Sequence, residues 1–310
     1  MSETPTGQAV LIVGSIALDS VKTPFGEVRE ALGGAAVYSS IAASYFAPVR
    51  LVGVVGTDFP REHMQFLASR NIDLAGMQIV PGLTFRWSGS YEFDLNQART
   101  LETKLNVFQY FCPDIPKSYR DSKYVFLANI DPELQLRVLD QVKSPKLIVC
   151  DTMNFWIENK RDCLLEVLKR VDVAFMNDAE ARQLCGAFSL VKAARQIREL
   201  GPPIVIVKKG EHGAVMMTDS AYFAAPSYPL EEVIDPTGAG DSFAGGFIGY
   251  VAATDDTSES NLRKATIYGS TLASYNVQDF SLRRLASLTA GDIADRYCEF
   301  KQIAHFEALE

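Results

Sequence analysis

VIDPTGAGDSFAGGFIGY, residues 233–250, sets a proline, three small residues and an acid at the head of an apolar stretch of helical length. Pro236 ends whatever precedes it, and Thr237 is the predicted N-cap of the following helix. Gly238, Ala239 and Gly240 carry no bulk, so their amides can lie bare at a helix N-terminus, where unpaired N–H groups and the helix dipole both favour an anion. Asp241 falls in the first turn beside that hole. An acid there can serve the dipole alone, but a mere cap has no need of three uncovered residues before it. Gly245, Gly246 and Gly249 predict close packing against another backbone, since each glycine costs a helix about 1 kcal/mol relative to alanine. The arrangement suits phosphoryl transfer: amides hold charge on the moving group, and Asp241 takes the acceptor hydroxyl's proton. With a free pKa of about 3.9, an aspartate takes that proton late, once the oxygen is bonding to phosphorus.

Upstream, apolar runs of strand length recur at 9–14, 49–56, 124–129, 146–151, 171–177 and 202–210. Their near-continuous hydrophobicity fits a parallel sheet covered on both faces. Between them lie amphipathic stretches, with Leu164, Leu165, Leu168 and Val171 on one helical face and Ala181, Leu184, Cys185 and Phe188 on the next. Strand–helix alternation predicts an open α/β sheet with right-handed crossovers, whose ligands sit beyond the carboxyl ends of the strands. Residues just after each run therefore weigh most. Two segments break the rhythm, about 16–32 and 77–110; Phe85, Trp87, Gly89, Tyr91 and Phe93 alternate with period two, as in strands outside the main sheet. A surface hairpin and a lid with an aromatic face explain that pattern equally well. Helices are predicted over 35–46, 239–253, 257–275 and 291–305. No repeat or linker divides the chain, so one domain over 1–310 is expected.

Composition narrows the function. Among 310 residues, 30 Lys and Arg against 38 Asp and Glu leave a net charge of −8; such a surface repels phosphate polymers and anionic membranes, so neither nucleic acid nor membrane is an expected partner. The five cysteines lack a C-x-x-C spacing and read as reduced thiols of a cytoplasmic protein. The start, MSETPTGQAV, has no basic region followed by an apolar run. Three scattered histidines offer no zinc spacing, and the chain lacks a G-x-S-x-G elbow, a P-loop and a G-x-G-x-x-G turn after the first strand.

D-P-T-G-A-G-D-S-F with its downstream glycines resembles the second signature of the ribokinase-like (PfkB) carbohydrate and nucleoside kinases. Other elements agree in order: Gly33-Gly34 resembles the family's substrate-site diglycine, Asn177 and Glu180 its N-x-x-E motif, and Lys208 to Gly213 its nucleotide-carrying glycine turn. The resemblance implies a Rossmann-like open, mostly parallel sheet covered by helices on both faces, with a small β-sheet lid. It implies transfer of the γ-phosphoryl of Mg-ATP to a hydroxyl of a sugar or sugar-like metabolite, with a nucleoside or polyol as the alternative acceptor; a non-catalytic regulator is disfavoured because Asp241 is intact. In this reading Asp241 is the base and the amides of Gly238, Ala239 and Gly240 form the anion hole. Asp19, Gly33, Gly34, Tyr38, Arg86 and Asn129 face the acceptor, and Asn177, Lys208, Gly210 and Gly213 the nucleotide. Glu180 orders Mg2+ through water, and Asp235 and Thr237 line a site for a monovalent cation such as K+. Asn154, in DTMNFW, resembles a D-x-N element of relatives and reads equally as a loop residue.

The chain departs from the family at Tyr38, where many sugar kinases carry an asparagine: an amide reads two groups and a phenol one. With Phe85, Trp87 and Tyr91 it makes the expected pocket aromatic, which suits a stacked nucleobase or the apolar face of a sugar or cyclic polyol. Arg86, the cation within that aromatic run, either meets an acidic substrate or pairs with Glu92. The apolar faces of 85–93 also suggest a homodimer formed through the lid.

Overall fold

The computed structural model describes residues 7–93 and 95–307. Met1–Thr6, on which the expectation about the start rests, and Asp94 of the lid segment lie outside the described residues, as do 308–310. The strands are β1 (Val10–Val13), β2 (Ala17–Thr23), β3 (Gly26–Gly33), β4 (Val49–Gly56), β5 (Ile72–Val80), β6 (Phe85–Ser90), β7 (Arg99–Lys104), β8 (Tyr124–Leu127), β9 (Leu147–Cys150), β10 (Val173–Asn177), β11 (Ile204–Lys208), β12 (Ala214–Met217) and β13 (Tyr222–Ala225).

A nine-stranded sheet runs β13-β12-β11-β10-β9-β8-β1-β4-β5. Pairing is parallel from β11 to β5, and β12 and β13 are antiparallel. The chain builds outward from β1 first through β4 and β5, then from β8 the other way, so the crevice beyond the ends of β1 and β8 is the topological switch point. The apolar runs are continuous because successive side chains feed opposite faces. Val10 and Ile12 join the core beneath the helices Ala35–Ser44, Ala239–Thr254 and Glu259–Asn276. Leu11 and Val13 join the one under Pro132–Leu139, Arg161–Leu168, Asp178–Cys185 and Leu190–Glu199.

The helical glycines meet backbone, as expected. A Cβ on Gly245 would lie 2.1 Å from the Ser39 carbonyl oxygen, and one on Gly249 2.7 Å from the Ala43 Cα. These contacts lock Ala239–Thr254 against Ala35–Ser44 and bring the N-termini of the two helices, at Gly238 and Gly34, to the same end of the sheet.

The lid is a four-stranded sheet, β3-β2-β6-β7. Its predicted boundaries need two corrections. Residues 77–80 lie in β5, where they pair with β4 in the main sheet. Asn106–Tyr110 is a 3-10 turn with Val107 buried in the core. In the main sheet, the short strands β12 and β13 beside β11 were not expected. Phe188, expected on a buried helical face, is 97% exposed, because the helix ends at Cys185 and Gly186 turns the chain in the left-handed conformation. Cys150 is buried, whereas Cys112 and Cys298 are exposed; all five cysteines are free. Among the described residues no helix is long and apolar enough to cross a membrane.

Candidate active site

The diglycine and the first lid strand form one unit. Asp19, on β2, is buried and accepts a hydrogen bond from the Gly34 amide at 3.2 Å. A Cβ on Gly33 would sit 1.9 Å from the Asp19 Oδ2, and one on Gly34, whose φ is +94°, 2.5 Å from the Ser15 carbonyl oxygen. The diglycine therefore exists to let the Asp19 carboxylate and the backbone close on one another. Burial pushes the Asp19 carboxyl up to about 7 against the pull of the Gly34 amide, with Asp235 and Asp241 adding to the rise.

Opposite stands the N-terminus of Ala239–Thr254. Gly238, not Thr237, is its N-cap; it lies at φ +76° and no side chain caps the turn. Glycine is required twice over, since a Cβ at Gly238 would meet the Tyr38 ring at 2.4 Å. The Thr237 amide donates instead to Asp235 Oδ1 at 2.9 Å, and its hydroxyl donates to Tyr91 Oη at 3.3 Å. With the cap vacant, the amides of Gly240 and Asp241 belong to the first turn, where a helix offers no internal acceptor. Asp241 is half-buried at this mouth, and burial pushes its carboxyl up to about 7, with Asp151 adding to the rise and Lys208 opposing it.

On the far side, Asn177 and Glu180 form a capping box. The Asn177 amide donates to Glu180 Oε2 and its Nδ2 to Oε1, each at 2.7 Å, while the Glu180 amide donates to Asn177 Oδ1 at 2.8 Å. Burial, followed by Asp151, raises the Glu180 carboxyl to about 7. Lys208 ends β11 opposite Asn177, and its ammonium donates to Asp151 Oδ2 at 2.6 Å. The glycine turn follows: Gly210 and Gly213 both have positive φ, and the Lys209 amide closes on the Gly213 carbonyl at 2.7 Å.

The lid lies over this cleft. Asp19 pairs in register with Trp87, Val21 with Gly89 and Ala17 with Phe85, so these residues share one face. The six-membered ring of the Trp87 indole covers Gly89, where a Cβ would fall 2.2 Å from it, and its Nε1 donates to Thr100 Oγ1 at 3.3 Å. Phe85 stacks on Phe108. Tyr91 reaches Thr237 as above, and Phe93 is fully exposed.

The structure thus gathers Asp19, Gly33, Gly34, Tyr38, Asp235, Thr237 and Gly238–Asp241 on one side, and Asn177, Glu180, Lys208, Gly210 and Gly213 on the other. Two expected acceptor contacts are otherwise engaged. Arg86 is held by Glu30 at 2.6 Å and Asp58 at 2.8 Å, not by Glu92, which faces Arg99. The Asn129 Oδ1 accepts from Trp156 Nε1 at 2.9 Å. Asn154 donates to Gln183. Asp151 was missed, though it stands directly after the run KLIVC, where an acid ending an apolar strand marks the ligand end of the sheet.

The model of the pfkB family of carbohydrate kinases matches residues 8–287. The chain belongs to that family. It is 35% identical over 244 residues to the cytidine kinase of Thermococcus kodakarensis, covering 77% of this chain and 87% of that protein. Its fold matches the nucleoside kinase of Burkholderia thailandensis solved with inosine, at a TM-score of 0.77 and 19% identity over 93% of this chain and 97% of that one. A ribokinase-type protein of E. coli solved with ATP and Mg2+ also matches at 0.77, with 19% identity over 96% of this chain and 99% of that one. The pfkB-family member is a phosphotransferase that uses ATP and acts on a hydroxyl acceptor, a sugar or a nucleoside.

Proposed function

We propose that this kinase transfers the γ-phosphoryl of Mg-ATP to a ribose hydroxyl of a nucleoside, with Asp241 as the base. The observation that carries the proposal is the Asp241 carboxylate in the uncapped first turn of Ala239–Thr254, facing the Asp19–diglycine unit across the cleft. The hydroxyl oxygen bonds to the γ-phosphorus as the bond to the β,γ-bridging oxygen breaks. ADP leaves with that electron pair, and Asp241 takes the hydroxyl proton. The Gly238 and Gly240 amides supply N–H groups to the charge that builds on the phosphoryl oxygens, whereas the Ala239 amide, expected beside them, donates to the Pro236 carbonyl at 3.2 Å. Asp19 and the Gly33–Gly34 backbone hold the ribose hydroxyls, with Tyr38 beside them. A nucleoside, rather than the sugar expected first, is supported by the cytidine kinase likeness and by the Trp87 indole in register with Asp19 on the same face of the lid, an aromatic surface of the kind a base stacks on.

Both Glu180 oxygens are occupied by Asn177. Among the described residues no group of three or more His, Cys, Asp or Glu side chains is placed to hold a metal directly. This fits Mg2+ carried on the nucleotide, with the Asn177–Glu180 pair orienting it through water; when bound, the ion supplies charge neutralisation to the phosphates. Gly210 and Gly213 carry the nucleotide. Asp235, buried and joined to the Thr237 and Ser281 amides, with Thr237 beside it, is the proposed monovalent-cation site. The test is ADP release from Mg-ATP over sugars, sugar acids, nucleosides and polyols, in K+ and in Na+, run beside Asp241→Asn. One strong, Asp241-dependent nucleoside acceptor is expected; a sugar as the sole strong acceptor would overturn the substrate reading.

A further inference from the structure

The sequence places Lys208 with the nucleotide-carrying turn, but the fold places its ammonium elsewhere. A Cβ on Gly240 would lie 3.0 Å from the Lys208 Nζ, 3.6 Å from its Cε and 3.8 Å from its Cδ. The lysine stem therefore runs along the anion-hole backbone, and glycine at 240 leaves room for it. Asp151 holds the ammonium from the other side at 2.6 Å; the side chains are 16% and 5% exposed. The Phe175 ring lies beneath, its centroid 5.8 Å from Nζ. One of three ammonium N–H donors is used by Asp151, and the head group meets the first turn beside Asp241.

A buried ion pair is poor stabilising material. Its desolvation penalty offsets its attraction, and a neutral pair of similar volume often folds as well. The pair at the ends of β9 and β11 points into the one place where the proposed reaction builds negative charge. We propose that Lys208 is a catalytic residue that donates to an oxygen of the transferred phosphoryl group, and that Asp151 is its positioning residue. This rests on the kinase reading of Asp241 and extends it: in the step above, Lys208 offsets charge on the phosphoryl as it moves, while Asp151 fixes the ammonium beside Gly240 so that no reorganisation is needed. ADP, lacking that phosphoryl, gains little from Lys208.

The test uses the full chain with Lys208→Met, Asp151→Asn and the neutral double variant Lys208→Met/Asp151→Asn. Readouts are kcat, ADP affinity by calorimetry and thermal unfolding. Lys208→Met is expected to lower kcat by ~10²–10³-fold, the range for removing one preorganised donor, with ADP affinity within about threefold of wild type on the same argument. The double variant should regain the thermal midpoint but not kcat. Recovery of kcat in the double variant would make the pair structural and overturn the proposal; so would ADP affinity falling in step with kcat, which belongs to a nucleotide-turn lysine. Wild-type turnover that survives Asp241→Asn would instead overturn the reading of Asp241 as the base, so the two failures are distinct.

Discussion

The two walls of the cleft are built from different materials. The phosphate wall, around Gly238–Asp241, Lys208 and Asn177–Glu180, consists of strand ends and helix N-termini: backbone amides, glycines whose absent side chains are filled by neighbours, and charges buried in pairs. The lid wall, β3-β2-β6-β7, consists of aromatic side chains on one face and ion pairs on the other. Every residue of β7 is exposed, and Arg99–Glu92, Lys104–Glu102 and Arg29–Glu27 lie in water. Surface pairs of this kind contribute about 0–1 kcal/mol each. On the proposed mechanism the first wall can hardly change without losing the chemistry, whereas the second can change its rings and keep its frame. Reaction and substrate are therefore, on that proposal, separable properties of this molecule.

The largest effect expected lies on the phosphate wall. Asp241→Asn should lower turnover by ~10²–10⁴-fold, the range for a lost general base, with nucleotide affinity held within a few-fold. Single-turnover kinetics beside ADP calorimetry checks both; near-normal turnover would return Asp241 to the role of a helix-dipole acid. The pH profile comes next. With the Asp241 carboxyl at about 7, the free enzyme needs its base ionised, so kcat/KM should rise as pH climbs toward 7 and level above it. From pH 5 to 7 the expected gain is about 50-fold, since the base is about one-hundredth ionised at pH 5 and half ionised at its pKa. Stability runs the other way. Asp19, Glu180 and Asp241 are each raised to about 7 from ordinary values of 3.8, 4.5 and 3.8. Between those values the folded chain holds protons that the unfolded chain releases, so thermal stability should fall as pH rises through that window. A melting temperature that rises with pH between 5 and 7 would contradict the burial of these carboxylates.

The same contrast governs what could be read without a structure. The phosphate wall was legible because its parts lie close together in sequence: DPTGAGD is one turn, N-x-x-E is one capping box, and each strand end follows its own apolar run. Thr237 was misplaced as the cap because its hydroxyl serves a lid residue, Tyr91, that is 146 positions away. Asp151 and Lys208 are 57 apart and meet only because β9 and β11 flank β10. On the lid, period two announced the strands but not their partners: β2 and β6 pair in parallel across an intervening stretch of main sheet. Arg86 consequently found Glu30 and Asp58, to which nothing local points.

Trp87→Ala tests whether the lid selects substrate without touching chemistry. Loss of base stacking costs about 1–3 kcal/mol by alanine substitution, or ~5–150-fold, and this should appear in the nucleoside KM with kcat changed far less. Gly89→Ala asks the same question from below. A Cβ there would fall 2.2 Å from the indole, so the ring must shift from its place over residue 89, and KM should again rise. An effect of either variant on kcat alone would erase the division between the walls.

The smallest effect belongs to the ion pairs at the lid root. The Glu30 side chain is 60% exposed and its pair with Arg86 is a surface one, whereas Asp58 also accepts from the Thr84 amide and hydroxyl, each at 2.7 Å, and so ties the end of β4 to the start of β6. Glu30→Gln should therefore change stability by less than about 1 kcal/mol, and Asp58→Asn should cost more, because it loosens Arg86 and Thr84 together. Neither should move the nucleoside KM more than about twofold, since in this reading Arg86 braces the frame and leaves the ligand to the rings. A thermal melt and a substrate titration on each variant measure both quantities. A gain in affinity for an acidic acceptor in Glu30→Gln would mean that releasing Arg86 frees it for substrate, and the lid's outer charges would then belong to recognition as well as to the frame.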